Sequence, residues 1–173
     1  SARGTPQIAG STGQSLTGTA LHDLLKGGLG DDTLLGGSGH DILISGGGAD
    51  SLIGGSGADT FVLTGSQQGA YISDFDQTED ILDLSDWPFL YDPASLDIVL
   101  TNSSAILSWR DQSVSLTAAS GSTFSLEGLL AAIRIDINRS FAMPQNDIQG
   151  TVASEALTGS WGTDTLSGGA GND

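Results

Sequence analysis

The sequence has no cysteine, and only 5 lysine and arginine residues stand against 21 aspartates and glutamates. The first absence removes disulfides, zinc-thiolate sites and thiol catalysis, while leaving the redox compartment open. The second leaves a formal charge of -16, which makes nucleic acid and anionic membrane surfaces poor partners and metal cations good ones. No apolar run approaches the roughly 18 residues of a membrane span, and the first residues carry no basic-then-apolar leader, so export by a removed leader or another route is expected. His-Glu-x-x-His, Gly-x-Ser-x-Gly and Walker loops are all missing, and no enzymatic activity is expected. What is abundant is glycine, 26 residues, beside a hydrophobic content of 38% that is too high for a disordered acidic tail.

A repeat accounts for that mixture. Asp23, Asp32, Asp41, Asp50 and Asp59 fall nine residues apart, and two residues after each comes Leu25, Leu34, Leu43, Leu52 or Phe61. The units read GGLGDDTLL (27–35), GGSGHDILI (36–44), SGGGADSLI (45–53) and GGSGADTFV (54–62), with a weaker copy, GTALHDLLK, at 18–26. A flexible Gly/Ser linker has no reason to hold Asp and Leu in such a frame. Glycines admit positive φ and let carbonyl oxygens crowd together, aspartate adds charged oxygen, and Ca²⁺ takes six to eight oxygens at about 2.3–2.6 Å. The last three residues of each unit have the character of a very short strand whose middle residue faces inward. One large apolar side chain per nine residues buries too little surface to offset chain ordering, so folding should depend on bound metal.

These units resemble the RTX family, the hemolysin-type calcium-binding repeats. The resemblance implies an all-β fold, a right-handed parallel β-roll followed by an antiparallel β-rich flanking segment, with Ca²⁺ as cofactor. It further implies that loops two units apart share an ion: the earlier gives carbonyls at its second and fourth positions plus its Asp, the later carbonyls at its first and third plus its Asp. One implied site is Gly28, Gly30, Asp32, Ser45, Gly47 and Asp50; the next is Gly37, Gly39, Asp41, Gly54, Ser56 and Asp59. A third, Thr19, Leu21, Asp23, Gly36, Ser38 and Asp41, lacks the early glycines. A fourth joins Gly46, Gly48 and Asp50 to Leu63, Gly65 and Gln68, where an amide replaces the carboxylate and weak binding is expected. At the ninth position Leu35, Ile44, Ile53 and Val62 should point outward in apolar strips, at least one of them covered.

From Leu63 the frame fails. The stretch Tyr71–Ser85 is similar to one that follows the roll in serralysin-type metalloproteases, with Glu79 where that pattern has Gly, and the similarity implies that some of Asp74, Asp76, Asp80 and Asp83 cap the roll with a further calcium. A solvated acidic turn is the plainer reading of the same residues. Beyond it, 97–101, 105–109 and 113–117 read as an antiparallel meander, and 125–133 as a short helix capped by Ser125 or a strand and turn. His22 and His40, 18 apart, are expected to stack as neutral choices at a variable position.

A longer repeat follows. Ile8-Ala9-Gly10-Ser11 is answered by Ile148-Gln149-Gly150-Thr151, an offset of 140, and Asp23 by Asp164, an offset of 141. The expected organisation is therefore degenerate turns at 1–17, a roll at 18–62, a flanking segment at 63–147 and the start of a second roll at 148–173, as in a tandem array. Glu155 and Asp173, also 18 apart, could hold one calcium with Thr151, Ala153, Gly168 and Ala170. The function expected is a calcium-binding module of a larger secreted bacterial protein that folds outside the cell after passing type I secretion machinery. The alternatives are a Ca²⁺-dependent adhesin or carbohydrate-binding module with a glycan or cell-surface ligand, for which Trp87 and Trp109 are candidate platforms, and the non-catalytic tail of an exported hydrolase.

Overall fold

The computed structural model describes residues 3–65 and 69–136 and, beyond them, the backbones of strands Asp147–Gln149 and Thr165–Ser167. From Gln7 to Asp83 the chain is a parallel coil. Its strands are β1 (Gln7–Ile8), β2 (Ser15–Thr17), β3 (Leu24–Lys26), β4 (Thr33–Ser38), β5 (Ile42–Ile44), β6 (Ser51–Ser56), β7 (Thr60–Val62), β8 (Ala70–Phe75) and β9 (Ile81–Asp83). Odd strands build one sheet and even strands another. Parallel registers such as Leu16↔Leu34↔Leu52 and Leu25↔Leu43↔Phe61 stack one coil on the next. Period-two alternation sends the middle residue of each short strand inward: Leu25, Leu34, Leu43, Leu52 and Phe61 are all 0% exposed. Outside, Leu35 is exposed, whereas Ile44, Ile53 and Val62 are half-buried.

The roll is longer than the 18–62 bounded by the nonapeptide frame. On the N-terminal side, Ala9–Thr17 is a regular unit with Gln14 where the others carry Asp, and its strand β2 pairs with β4. On the other side Leu52 pairs with Ile72 and Phe61 with Leu82. Two or three extra residues sit in the turns there, which breaks the spacing in the sequence without breaking the ladder of strands.

The expected meander is present as β10 (Asp97–Leu100), β11 (Ser104–Trp109) and β12 (Gln112–Ala118), and of the two readings of 125–133 the helix forms, as α1 (Leu126–Ala132), followed by β13 (Ile133–Arg134). They continue the roll's own sheets. β12 runs parallel to β8, so the meander lengthens the even-strand sheet to seven strands, and β13 joins β9 to make the odd-strand sheet six. Ser125 Oγ accepts the Gly128 N–H and caps α1, which buries Leu129. Phe75 links the two parts of the core, 5.9 Å from Phe61 and 6.3 Å from Phe124 between ring centroids.

Residues 137–173 form a separate unit. Within it β14 (Asp147–Gln149) and β15 (Thr165–Ser167) pair in parallel, Ile148↔Leu166. That is the parallel pairing of two segments 18 residues apart also made by Gln7 with Leu25 in β1 and β3. Glu155, Asp164 and Asp173 lie outside the described residues.

Candidate metal centre

The turns between strands are built on aspartate. Asp23, Asp32, Asp41, Asp50 and Asp59 are at most 3% exposed, and each lies at the foot of a strand whose inward Leu or Phe fixes its depth. One carboxylate oxygen reaches the preceding coil: the N–H groups of Gln14, Asp23, Asp32 and Asp41 donate to Oδ1 of Asp32, Asp41, Asp50 and Asp59 at 2.7–2.8 Å, always across 18 residues. In Asp23 and Asp32 the other closes the residue's own turn, Thr19 N–H donating to Asp23 Oδ2 at 2.7 Å and Gly28 N–H to Asp32 Oδ2 at 2.8 Å. The aspartates therefore form two ladders along opposite turns of the coil.

Asp80 extends one ladder to Asp23–Asp41–Asp59–Asp80. Its Oδ1 accepts the Asp59 N–H at 2.9 Å and its Oδ2 the Asp76 N–H at 2.8 Å, the same two bonds in a unit without glycine. The neighbours it was grouped with do other work. Asp74 takes the N–H groups of Gly54 and Gly55, Asp76 takes Thr78 and Ser122, and Asp83 takes the Ser85 N–H. The other ladder, Gln14–Asp32–Asp50, starts on a neutral residue: Gln14 Oε1 accepts the Gly10 N–H at 3.1 Å, closing its turn as an aspartate would. The signal for Gln14 and Asp80 was the inward Leu two residues on, Leu16 and Leu82, rather than the glycine cluster before.

Aspartate and carbonyl oxygens crowd the same space at these turns. A Cβ on Gly36 would run into both Asp41 Oδ2 and the Gly54 carbonyl oxygen, and one on Gly27 would meet Asp32 Oδ2 and the Ser45 oxygen. At Gly18 the same crowding involves Asp23 Oδ2 and the Gly36 oxygen. Each pair joins the earlier loop's aspartate to the later loop's first carbonyl, as the implied sites require. Asp41 Oδ2 and Asp23 Oδ1 are buried without any hydrogen-bond partner. Other candidate carbonyls accept bonds between coils: Gly28 from Gly47 N–H, Gly47 from Gly30 N–H, Ser56 from Gly39 N–H and Thr19 from Ser38 N–H. Each keeps a second lone pair.

The loops differ in how they bend. Gly37 and Gly39 have φ of +111° and +129°, open to glycine alone, whereas Thr19 and Leu21 are not among the positive-φ residues; there the Thr19 hydroxyl also donates to Asp23. At the fourth implied site Gly46 O already accepts from Thr64 Oγ1, and Gln68 lies outside the described residues. His22 and His40 stack with centroids 5.0 Å apart, and His22 Nδ1 accepts the His40 N–H, so the pair is a rung between coils.

Burial and neighbouring carboxylates raise three of these carboxyls. Burial, reinforced by Asp80, Asp41 and Asp74, pushes the Asp59 carboxyl up to about 7 against the opposing Asp41 N–H. Burial, then Asp74 and Asp76, pushes Asp80 up to about 6. Asp41 is raised by burial and by Asp23, while Asp76 is lowered by the Thr78 hydroxyl and N–H. Among the described residues no three His, Cys, Asp or Glu side chains converge into a metal-holding group. An ion here must draw mostly on backbone oxygen, a donor set that suits calcium and not zinc.

The profile of the RTX calcium-binding nonapeptide repeat matches residues 9–43, 17–52, 35–64 and 156–173. The coil is an RTX β-roll. Among solved structures, the chain is similar to the AlgE6R2 subunit of the Azotobacter vinelandii mannuronan C5-epimerase, with 29% identity, a TM-score of 0.59, and 76% of this chain and 92% of that one covered. The AlgE6R3 subunit of the same enzyme shares the fold at 23% identity and a TM-score of 0.55, covering 90% and 92%. No curated protein matches the sequence. The match to RTX repeats begins at residue 9, just after β1, and its last copy in the roll stops at 64, before Asp80.

Proposed function

We propose that this chain is a calcium-triggered folding module of a larger exported bacterial protein, open where calcium is scarce and coiled once outside the cell. The observation that carries the reading is the crowding of acceptors at successive turns, where a Cβ on Gly18, Gly27 or Gly36 would meet both an aspartate Oδ2 and a carbonyl of the next coil, with Asp41 Oδ2 buried and without a hydrogen-bond partner. Calcium would be held by Asp32 and Asp50 with the carbonyls of Gly28, Gly30, Ser45 and Gly47, and by Asp41 and Asp59 with those of Gly37, Gly39, Gly54 and Ser56. The Asp23–Asp41 and Asp59–Asp80 steps of the ladder offer two further carboxylate pairs. Bound calcium supplies positive charge where the fold alone concentrates negative charge. Its binding energy then becomes folding energy. No catalytic role is assigned to the chain. RTX repeats are typical of secreted proteins, and no helix among the described residues is long and apolar enough to cross a membrane, which agrees with export by type I secretion machinery. Circular dichroism tests the reading: β-structure should appear cooperatively with millimolar Ca²⁺, far less with Mg²⁺, and vanish with chelator. A fully formed roll in excess chelator would overturn it.

A second reading, recognition of a glycan, is favoured by one feature. Phe89 is 60% exposed at a positive φ of 62°, with the Arg110 guanidinium 4.4 Å from its ring centroid. Of the two tryptophans proposed as platforms, Trp87 is 2% exposed and belongs to the core, and Trp109 is half-buried with its Nε1–H on Pro88 O. The similar subunits come from an enzyme named for mannuronan, a polysaccharide. A glycan array on the calcium-loaded chain, repeated with Phe89→Ala, decides between a binding face and a bare surface.

A further inference from the structure

The flanking segment touches the roll's ladder at one short turn, Asp76–Asp80. Asp80 closes that turn by accepting the Asp76 N–H and ties it to the coil below by accepting the Asp59 N–H. The two residues at the head of the turn, Asp76 and Gln77, hold the other side. Asp76 Oδ2 accepts the Ser122 hydroxyl at 2.8 Å. Gln77 spans the gap, its Nε2 donating to Thr123 O at 2.8 Å and its Oε1 accepting the Ser125 N–H at 3.0 Å. Ser125 is the residue that caps α1, and the Gly128 Cα lies so close that a Cβ there would overlap the Gln77 amide. Directly after the turn, β9 pairs with β13, the strand that leaves α1. The start of α1, its cap and its exit strand are thus all fixed to the stretch 76–83, whose own shape depends on the Asp80 carboxylate.

We propose that Asp80 is the positioning residue through which calcium loading of the roll orders the helix-bearing segment 119–136, so that the segment folds only as an extension of the roll. Without a cation, Asp80 and Asp59 face each other as two buried carboxylates, and repulsion between them opposes the closed turn. With one, both are held, the turn closes, and Gln77 is brought to where the α1 cap needs it. The alternative, a segment that folds by itself and merely rests on the roll, is disfavoured by its size: α1 is seven residues long, and β13 two. A helix that short has no stability without tertiary support.

The inference rests on the calcium-folding reading above, and amide hydrogen exchange of the whole chain during a Ca²⁺ titration separates the two. In the wild type, amides of the roll (β4–β7) and of α1 should gain protection at the same calcium concentration. In Asp80→Asn the roll amides should still respond while α1 lags by at least threefold in calcium or stays exposed at saturation. Gln77→Ala, which leaves every carboxylate in place, should lower α1 protection at saturating calcium without moving the roll. Asp32→Asn, on the ladder that does not touch the segment, should shift roll and α1 together. If the roll ignores calcium, the folding reading fails. If the roll responds but α1 is protected equally in chelator, or follows the roll unchanged in both Asp80→Asn and Gln77→Ala, the coupling is refuted while the folding reading stands.

Discussion

Replacing Asp41 with asparagine separates metal binding from coil packing with opposite signs. Asp41 Oδ1 accepts the Asp23 N–H, a bond that an asparagine carbonyl keeps. Its Oδ2 is buried, unpartnered and beside the Gly54 carbonyl, so the amide NH₂ would put a donor where two acceptors now face one another. A buried polar group without a partner costs about 1–3 kcal/mol, and a like-charged neighbour in Asp23 adds to it. The calcium-free coil of Asp41→Asn should therefore be more stable than wild type by about 1 kcal/mol. Calcium binding should change the other way. Asp41 belongs to two implied sites, and losing a charge-assisted ligand worth about 1.5–3 kcal/mol from each corresponds to roughly tenfold or more per ion. Asp32→Asn makes the contrast: Oδ2 there already accepts the Gly28 N–H, so the NH₂ would oppose a donor and the calcium-free coil should weaken. Calorimetric titration gives ion number and affinity, and urea melts in chelator give stability. Wild-type stoichiometry in Asp41→Asn, or equal calcium-free destabilisation in both variants, would refute the geometry argued for these turns.

Proton competition gives a second prediction. Folded Asp59 and Asp80 carboxyls, raised to about 7 and about 6, favour the proton relative to the unfolded chain, so calcium-free stability should be fullest below pH about 4 and be lost as pH rises through 6 and 7. Protonation then stabilises the same coil that calcium does, so the calcium needed for half-folding should fall as pH is lowered from about 7.5 to about 5.5, which dichroism-monitored titrations can check, while calorimetry should show weaker calcium binding per ion at the lower pH. Among loop glycines, Gly39→Ala should destabilise the calcium-loaded chain by well over the ~1 kcal/mol of a strained φ, because its Cβ would also strike the Leu21 carbonyl; Gly121→Ala, with positive φ but open space, should cost only about 1 kcal/mol in thermal melts. Leu43→Ala, at the centre of the coil and 0% exposed, should cost about 2–5 kcal/mol by denaturant unfolding in calcium.

The roll was legible in the sequence because its physics is local and periodic. Each nonapeptide carries its own turn glycines, its aspartate and its inward Leu, and the meander and the Ser125 cap were readable for the same reason. Glu79 and the extra residues near 66–68 hid the last coil, since glycine spacing marks how a turn bends and not whether the next strand joins the sheet. Asp80 makes its two ladder bonds from a turn that bends without glycine. Trp87 follows β9 directly and is carried into the core by that strand, a tertiary outcome no composition argument reaches. The parallel docking of β12 on β8 pairs Val114 with Ala70, 44 positions apart, and leaves no local trace.

The aspartate ladder also has a polarity. The Oδ1 atoms of Asp32, Asp41, Asp50, Asp59 and Asp80 each accept from a residue 18 or 21 positions earlier in the chain, so the two ends of a ladder are chemically unlike. At the Asp23 end an acceptor is left over, a buried Oδ1 that takes no N–H although residues 3–8 already pair with this coil. Such a filament adds coils unequally. If the C-terminal side of the chain meets calcium first, each carboxylate is already fixed when its donor arrives, and winding proceeds onto a template. If the N-terminal side does, loose amides must wait for acceptors that have yet to appear. The order in which this chain reaches calcium should therefore set how fast it winds, even though the finished coil is the same.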